Sequence, residues 1–323
     1  MTDENRVTGF TLKVIAIVTM LIDHITYVLI APLLSGKYPD LMSGRMVIAG
    51  PFTGLDIQAV YQIGRGIGRI AFPIFVFLLA EGFYHTRNRV KYLLRLFIFA
   101  LISEIPFDLA FNKSFFYTGY QNVMITLLLG GLAITLVEFL TRRAWESIFL
   151  RMISYVASFF IAALSIYAGK LLLTDYAAGG VAAVLIMYFM GETGNGRVMR
   201  RETRNGREDI YEVVTYGFKL RRLLAFTLSV VILVFTTSRS ELIALIDILP
   251  IAMYNGSKGP QRKYFFYIFY PAHLLILFII WRAVFWGFLF FSNVLISENS
   301  DWIFGSTRRG RGVLCRVDLC DKI

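Results

Sequence analysis

The segment at residues 12–33 reads LKVIAIVTMLIDHITYVLIAPL, and it decides the fold. Its apolar run is long enough for a helix to cross the hydrocarbon core of a membrane, which takes about 20 residues. The pair Asp23 and His24 interrupts the run near its middle, where an ionisable side chain costs free energy. The segment therefore predicts a transmembrane helix with two candidate functional residues in its interior.

Similar apolar blocks recur along the rest of the chain. Hydrophobic residues make up 57% of the 323 residues and charged residues 17%, against about 25% charged residues in a soluble domain. The blocks are continuous rather than alternating, which argues against a membrane β-barrel. We predict an all-α, polytopic transmembrane helix bundle with about nine spans. The predicted spans are 11–33, 67–84, 92–111, 120–140, 148–168, 171–190, 221–238, 241–254 and 264–290.

The net charge of +11 comes largely from the connections between these blocks. Such clustering follows the positive-inside rule, so we do not expect a nucleic-acid partner. The same rule predicts a multi-pass protein of the inner (plasma) membrane, in contact with lipid, whose N-terminus is cytoplasmic. The basic connections are 85–95, 141–151, 191–222 and 255–263.

The chain is expected to contain one membrane domain and a tail. The membrane domain spans residues 1–291 and includes a basic cytoplasmic loop at 191–222, which is rich in Gly, Arg and Asn and is expected to be mobile. Residues 292–323 form a polar C-terminal tail. The basic loop serves either topology or the binding of an anionic headgroup or substrate.

Lys13 and His24 are the strongest candidates for chemistry. They are eleven residues apart, which in a helix places them on one face with about 16 Å between them along the axis. His24 can then act as a general base in mid-membrane, and Lys13 can hold phosphate at the cytoplasmic boundary. Asp23 can pair with a neighbouring helix or orient a basic group. In the alternative interpretation, Lys13 reaches toward the membrane surface and His24 makes an interhelical hydrogen bond.

The second block carries a polar group near its cytoplasmic end. Glu81 and His85 are four residues apart and share a helix face, and Arg87 and Arg89 follow them. This arrangement suits a ligand site, and it also suits a simple pair at a helix interface.

A second polar group is predicted at the outer ends of the spans. Glu104 and Asp108 share a face of the third block, Asn122 opens the next block, and Arg69 lies at the same depth. Two carboxylates at this depth need water or a partner such as Arg69, or they form a purely structural pair. We expect an outward-facing pocket for an acceptor at these four residues.

The sequence contains 3 histidines, and each lies in or at the edge of a span. The third, His273, is therefore a further site candidate. Neither a Walker motif nor a zinc-protease motif nor a nucleophile elbow is present, and we predict no metal site.

The apolar blocks together resemble the TraX family of membrane proteins. The resemblance runs in family order over most of residues 10–280 and leaves out 191–222 and the tail. The stretches that carry it are LKVIAIVTMLIDH at 12–24, GRIAFPIFVFLLAEGFYHTRNR at 68–89, KYLLRLFIFALISEIPFDLAF at 91–111, QNVMITLLLG at 121–130, YNGSKG at 254–259 and KYFFYIFYPAHLLIL at 263–277.

The resemblance implies a membrane acetyltransferase that moves an acetyl group from acetyl-CoA to an amine or hydroxyl. The acceptor it implies is the N-terminus of a pilin, although a cell-surface glycan is also consistent with the wider transmembrane acyltransferase superfamily. In that superfamily the first helix carries a basic residue, ten further residues and a histidine, a pattern that Lys13 and His24 match. The resemblance implies that His24 is catalytic, as a general base or as a transient acceptor of the acetyl group. Asp23, beside it in the sequence, is the second catalytic candidate. The residues expected at the acetyl-CoA site are Lys13, Glu81, His85, Arg87 and Arg89.

A carrier or assembly factor without transferase activity is the alternative. Its ion or proton path would use the carboxylates of Glu104, Asp108, Glu138 and Asp247. Against it, the chain shows no inverted repeat and no paired broken segments in two halves.

Overall fold

The computed structural model describes the backbone in ten segments of the chain. The chain divides into two compact units, Met1–Leu275 and Ile276–Ile323. The described segments are 7–34, 57–86, 88–141, 147–191, 197–204, 207–214, 216–260, 262–299, 302–306 and 312–316, with side chains at 7–34, 57–86, 88–141, 147–191, 220–260, 262 and 264–284.

The membrane part is an all-α bundle, as the sequence predicts. Within the described residues, five helical segments are long and apolar enough to cross a membrane, judged by length and composition. They are Gly9–Leu34, Ile57–His85, Val123–Thr141, Ile148–Leu171 and Tyr264–Val284, and Ala177–Gly191 is a shorter apolar helix. The helices are α1 (Gly9–Ile25), α2 (Ile57–Gly68), α3 (Ala71–His85), α4 (Arg89–Phe107), α5 (Val123–Thr141), α6 (Ile148–Leu171), α7 (Ala177–Gly191), α8 (Tyr216–Thr236), α9 (Ile248–Ala252) and α10 (Lys263–Asn299).

Helices α1 and α4 both continue beyond their regular part. After α1, the chain forms a π-helical turn at Thr26–Ile30 and a short helix at Ala31–Leu34. After α4, which contains Pro106, it forms a π-helical turn at Asp108–Asn112. Because proline cannot donate a backbone hydrogen bond, Pro106 lies where the regular helix gives way to the looser turn.

Helix α2 precedes the predicted span at 67–84 and overlaps its first residues. Its glycines lie against α1: a Cβ atom added at Gly64 would lie 2.1 Å from Thr26 Oγ1, and one at Gly68 would lie 2.2 Å from Asp23 Oδ1. Small residues four positions apart let two membrane helices approach closely. Here, glycine permits the close packing of α2 against α1.

The predicted eighth span is helical but is not one continuous α-helix. A 3-10 helix runs over Arg239–Asp247 and leads directly into α9. A 3-10 helix rises about 2.0 Å per residue against 1.5 Å in an α-helix, so this short segment covers more depth than an α-helix of the same length.

The loops of the first unit gather at two ends of the bundle. At the N-terminal end, formed by residues 7–9, 85–86 and 254–260, the Gly9 amide donates to the Ser257 carbonyl over 2.8 Å. At the distal end, formed by residues 112–122 and 172–176, the Asp175 amide donates to the Gln121 carbonyl over 2.9 Å. Helix α6 exposes most of its apolar surface, including Phe149 and Phe159, as a helix beside lipid does.

Two antiparallel hairpins complete the described chain. β1 (Arg197–Arg204) pairs with β2 (Arg207–Val214) inside the basic 191–222 segment of the first unit. In the second unit, α10 extends to Asn299, past the predicted end of the last span, and β3 (Trp302–Ser306) pairs with β4 (Gly312–Arg316). The mobility of 191–222 stays a prediction.

Candidate active site

A pair of histidines from α1 and α10 lies in the interior of the bundle. His24 Nδ1 is 2.7 Å from His273 Nε2, and the two rings are parallel to within 4°. The residues are 249 positions apart in the chain. His273 is buried and His24 is partly buried. The structure therefore brings together two of the predicted site residues that no sequence spacing connects.

Aromatic rings hold this histidine pair in place. The edge of Phe111 meets the His24 ring, with 5.2 Å between ring centroids. Phe269 stacks on the His273 ring at 4.8 Å. Tyr270 contacts both imidazoles, at 6.5 Å from His24 and 5.8 Å from His273. Packing on several sides restricts the orientations that the two imidazoles can adopt.

An apolar chamber of about 250 Å³ lies between this pair and the N-terminal end. Its walls come from α1, α3, α4, α5 and α10. Residues along its length include Lys13, Ile17, Met20, Leu79, Leu127 and Tyr270. Because Tyr270 both lines the chamber and contacts the histidine rings, the chamber reaches the neighbourhood of His24.

A second cavity of about 200 Å³ forms a cationic mouth at the N-terminal end. We use this name for the cavity around Lys13, Arg95 and Lys258, which also lies against Glu81 and His85. Lys13 and Arg95 line both cavities, so the mouth and the chamber adjoin. Arg95 Nε is buried and makes no hydrogen bond within the described residues, which leaves an N–H donor for an anion.

The buried carboxylate of Glu81 is neutralised by its neighbours. Its oxygens lie 3.4 Å from Arg222 Nη2 and 3.3 Å from His85 Nε2, and the Tyr254 hydroxyl donates to it over 3.4 Å. The predicted pair of Glu81 and His85 therefore exists on the wall of the mouth. The three cations of the mouth retain a net positive charge because Glu81 is paired with other groups.

Two arginines, Arg87 and Arg89, are expected at this site from the sequence, and the structure shows the surroundings of Arg89. Arg89 forms an ion pair with Glu138 and donates to the Tyr188 hydroxyl over 3.0 Å. It lines neither the mouth nor the chamber, so its charge serves the packing of α4 against α5 and α7. Arg87 lies outside the described residues.

Two ion pairs lie toward the distal end. Arg65 contacts Asp23 over 2.7 Å, and Arg69 contacts Glu241 over 2.8 Å. Asp23 therefore pairs with a neighbouring helix, α2, which is one of its two predicted roles. The expected partnership of Arg69 with the carboxylates of α4 is replaced by the pair with Glu241, which is fully buried and compensates its charge locally.

Glu104 and Asn122 form the remaining part of the predicted acceptor group. The Asn122 side-chain amide donates to the Glu104 carboxylate and, over 2.9 Å, to the Ala100 carbonyl. Glu104 Oε1 is buried and makes no hydrogen bond within the described residues. Neither Glu104 nor Asn122 lines the mouth or the chamber. These two residues form a separate polar spot with one free acceptor atom.

Asp108 is turned toward the distal loop rather than toward this spot. Its carboxylate accepts from the Tyr117 amide over 2.8 Å and from the Asn112 side chain over 3.3 Å. Both oxygens are used, so the contacts of Asp108 fix the start of the loop.

A partly buried carboxyl also lies in the distal loops. Tyr120 donates to Asp175 Oδ1 over 2.6 Å. Burial raises the pKa of Asp175, and this hydrogen bond and the charge of Arg69 oppose the rise. Among the described residues, no group of three or more His, Cys, Asp or Glu side chains is placed to hold a metal ion.

Several residues of the mouth were missed as site residues by the sequence analysis. Arg95 and Lys258 lie in stretches that carry basic charge, and Tyr254 and Lys258 lie in YNGSKG. Only the fold shows that these stretches meet Lys13. The charge signal was visible in the sequence, and the pairing of the stretches was not.

Comparison with known proteins places these features in a family. A family model described as TraX protein matches residues 8–203 and 210–281. It includes most of 191–222, which the resemblance seen in the sequence left out. A relative named "Probable fimbrial assembly protein FimC, serogroup H1", from Dichelobacter nodosus, is 28% identical over 285 residues, 83% of this chain and 93% of that protein. No solved structure gives a significant match. Since the model covers well over half of its length, the chain belongs to the TraX protein family.

Proposed function

We propose that this protein is a membrane acetyltransferase that moves an acetyl group from acetyl-CoA to an amine, the N-terminal amine of a pilin. The proposal depends on one observation: the cationic mouth, the apolar chamber and the histidine pair follow one another in space along α1. Such a passage suits a donor with a polyanionic head and a long, thin arm that ends in the reactive group. In this proposal the protein lies in the inner membrane and the mouth faces the cytoplasm, where the donor is available.

The mouth has the chemistry that a phosphorylated donor requires. Lys13, Arg95 and Lys258 surround a cavity of about 200 Å³. The free Nε–H of Arg95 can donate to a phosphate oxygen, and the two ammonium groups attract phosphate as point charges. The apolar walls of the chamber suit the arm behind the phosphates, and they exclude water from the thioester.

His24 supplies proton transfer at the inner end of the passage. In the transfer, the amine nitrogen forms a bond to the acetyl carbon as the carbon–sulfur bond breaks. His24 takes the proton that the amine loses and returns it to the sulfur that leaves. Proton transfer by a positioned side chain contributes about 10²–10⁴-fold to a rate.

The acceptor would approach from the distal end. Glu104 Oε1 is a free, buried acceptor atom that can receive an N–H from a protonated amine, and Asn122 holds the carboxylate in place. The relative from Dichelobacter nodosus is named a fimbrial assembly protein. A pilin subunit is therefore the acceptor we favour, and a surface glycan hydroxyl is the other acceptor to assay.

The experiment measures acetyl transfer and donor binding separately. Purified protein in lipid nanodiscs is given labelled acetyl-CoA and a pilin N-terminal peptide. We expect transfer by the wild type and a loss of about 10²–10⁴-fold in His24→Ala. Donor binding is measured as a rise in thermal stability, which a ligand specific for the folded state must produce. Lys13→Ala should weaken it, and Lys170→Ala, at the far end of α6, is the matched control.

The alternative is an assembly factor without transferase activity, which the name of the relative favours. That alternative predicts no acetyl transfer and no thermal shift at millimolar acetyl-CoA. A shift that Lys13→Ala abolishes and Lys170→Ala retains would contradict it.

A further inference from the structure

The hydrogen bonds of His273 determine where its proton lies. His273 Nδ1 is 2.7 Å from the carbonyl oxygen of Phe269. A carbonyl oxygen only accepts, so Nδ1 must carry the hydrogen. A neutral imidazole has one N–H, and His273 Nε2 therefore presents a lone pair.

The same reasoning then fixes the proton of His24. Its Nδ1 lies 2.7 Å from His273 Nε2. Since His273 Nε2 is the acceptor of this bond, His24 Nδ1 must be the donor and carry the hydrogen. His24 Nε2 is left with the lone pair that a general base or a nucleophile needs.

Protonation of His273 would reverse this arrangement. An imidazolium at His273 would donate from both nitrogens, and His24 Nε2 would then carry the hydrogen. That state places a positive charge on the buried His273 ring. Asp23, the nearest carboxylate in the sequence, is already paired with Arg65. The neutral pair is favoured because an uncompensated buried charge is costly.

We propose that His273 is a positioning residue for His24. It holds His24 in the tautomer whose Nε2 is free, and it stabilises the imidazolium that forms when Nε2 takes a proton. The carboxylate of a serine-protease triad does the same for its histidine, but here the partner is neutral. The proposal rests on the acetyltransferase function described above.

A protonated amine first gives one proton to the carboxylate of Glu104, which later releases it to water. For the neutral amine that remains, the proton balance closes at the histidine pair. The amine proton moves to His24 Nε2 as the amide bond forms, and the pair then carries one positive charge. The hydrogen on His24 Nδ1 stays in its bond to His273 Nε2 throughout. When the carbon–sulfur bond breaks, Nε2 gives its proton to the sulfur, and the pair is neutral again.

The first test is spectroscopic and needs no enzymatic activity. Protein labelled with ¹⁵N-histidine has only 3 histidines, so its imidazole nitrogens can be assigned with His24→Gln, His85→Gln and His273→Gln. In the wild type we expect both His24 and His273 to carry hydrogen on Nδ1. In His273→Leu, His24 should lose this preference. An Nε2–H form of His24 in the wild type, or an unchanged tautomer in His273→Leu, would overturn the proposal.

The second test compares two substitutions of His273 in the transfer assay. Glutamine can still accept a hydrogen bond from His24 Nδ1, and leucine cannot. We expect His273→Leu to lower kcat, by no more than the about 10²–10⁴-fold expected for loss of His24 itself, with an unchanged KM for acetyl-CoA. His273→Gln should recover at least tenfold of this loss. Equal kcat in the two variants, with both folded by thermal melting, would contradict the positioning role.

The two tests separate this proposal from the proposed function. If the tautomers are as expected but the protein transfers no acetyl group, the acetyltransferase function is contradicted and the proposed positions of the protons stand. If the protein transfers acetyl groups but the tautomer of His24 does not depend on His273, only the positioning role of His273 is contradicted.

Discussion

Glu104 and Asp108 share a helix face in the sequence, yet their side chains have different surroundings. Glu104 keeps one buried oxygen without a hydrogen bond among the described residues, whereas both oxygens of Asp108 hold the distal loop. Of these two carboxylates, Glu104 is the one that offers an acceptor amine an oxygen without a hydrogen bond among the described residues. The two carboxylates are therefore expected to respond differently to loss of charge.

We predict that Glu104→Gln lowers transfer to a peptide amine without weakening acetyl-CoA binding. The substitution keeps the shape of the side chain and removes the charge that attracts a protonated amine. Asp108→Asn should instead lower the free energy of unfolding by about 1–3 kcal/mol, the cost of a buried group that loses its hydrogen bond. Transfer kinetics and thermal melting of both variants check this. Equal kinetic defects without a stability change would contradict the division of roles.

At the scale of single residues, part of the candidate site could be predicted from local spacing in the sequence. The eleven-residue separation of Lys13 and His24 could be seen in the sequence because a helix has a fixed period. The partnership of His24 with His273 could not, because 249 residues separate them. The pairing of Arg69 with Glu241, 172 residues away, was hidden for the same reason. A charged residue on one helix face has many possible partners in the sequence, and only the tertiary fold determines which of them lies close enough to pair with it.

Helix α2 shows the corresponding limit at the scale of elements. Its small residues mark a close helix contact in a membrane, but no local pattern identifies α1 as the partner. The long apolar blocks were predicted correctly because length and hydropathy are local properties. The 3-10 helix at Arg239–Asp247 was not, because no local pattern distinguishes its period from that of an α-helix.

We predict that Gly68→Ala destabilises the contact between α1 and α2. The new Cβ would lie 2.2 Å from Asp23 Oδ1, so the Asp23 side chain must move and its ion pair with Arg65 is disturbed. Overpacking of this kind costs about 1–3 kcal/mol. Gly66→Ala is the matched control, since its Cβ meets only the flexible end of Ile243 at 3.1 Å. A melting temperature that falls equally in both variants would contradict a specific contact at Gly68.

At the scale of the whole molecule, the two ends of the first unit give the topology a direct test. The N-terminal end carries the cationic mouth, and the proposal places it in the cytoplasm. We introduce single cysteines at Ser257 and Phe116, one at each end, after replacing Cys315 and Cys320. A membrane-impermeant maleimide added to intact cells should label the Phe116→Cys protein and spare the Ser257→Cys protein until the cells are opened. The opposite pattern would place the mouth outside.

The apolar chamber also bears on the electrical resistance of the membrane. An ion that left the mouth for the chamber would exchange its hydration shell for walls such as Ile17, Leu79 and Leu127, at a cost of many kcal/mol. Beyond the histidine pair, the cations Arg65 and Arg69 are held by carboxylates and offer no mobile charge. We therefore expect vesicles that contain the protein to hold a potassium gradient and a membrane voltage. An acyl group could then pass between two aqueous compartments while the energy stored across the bilayer is preserved.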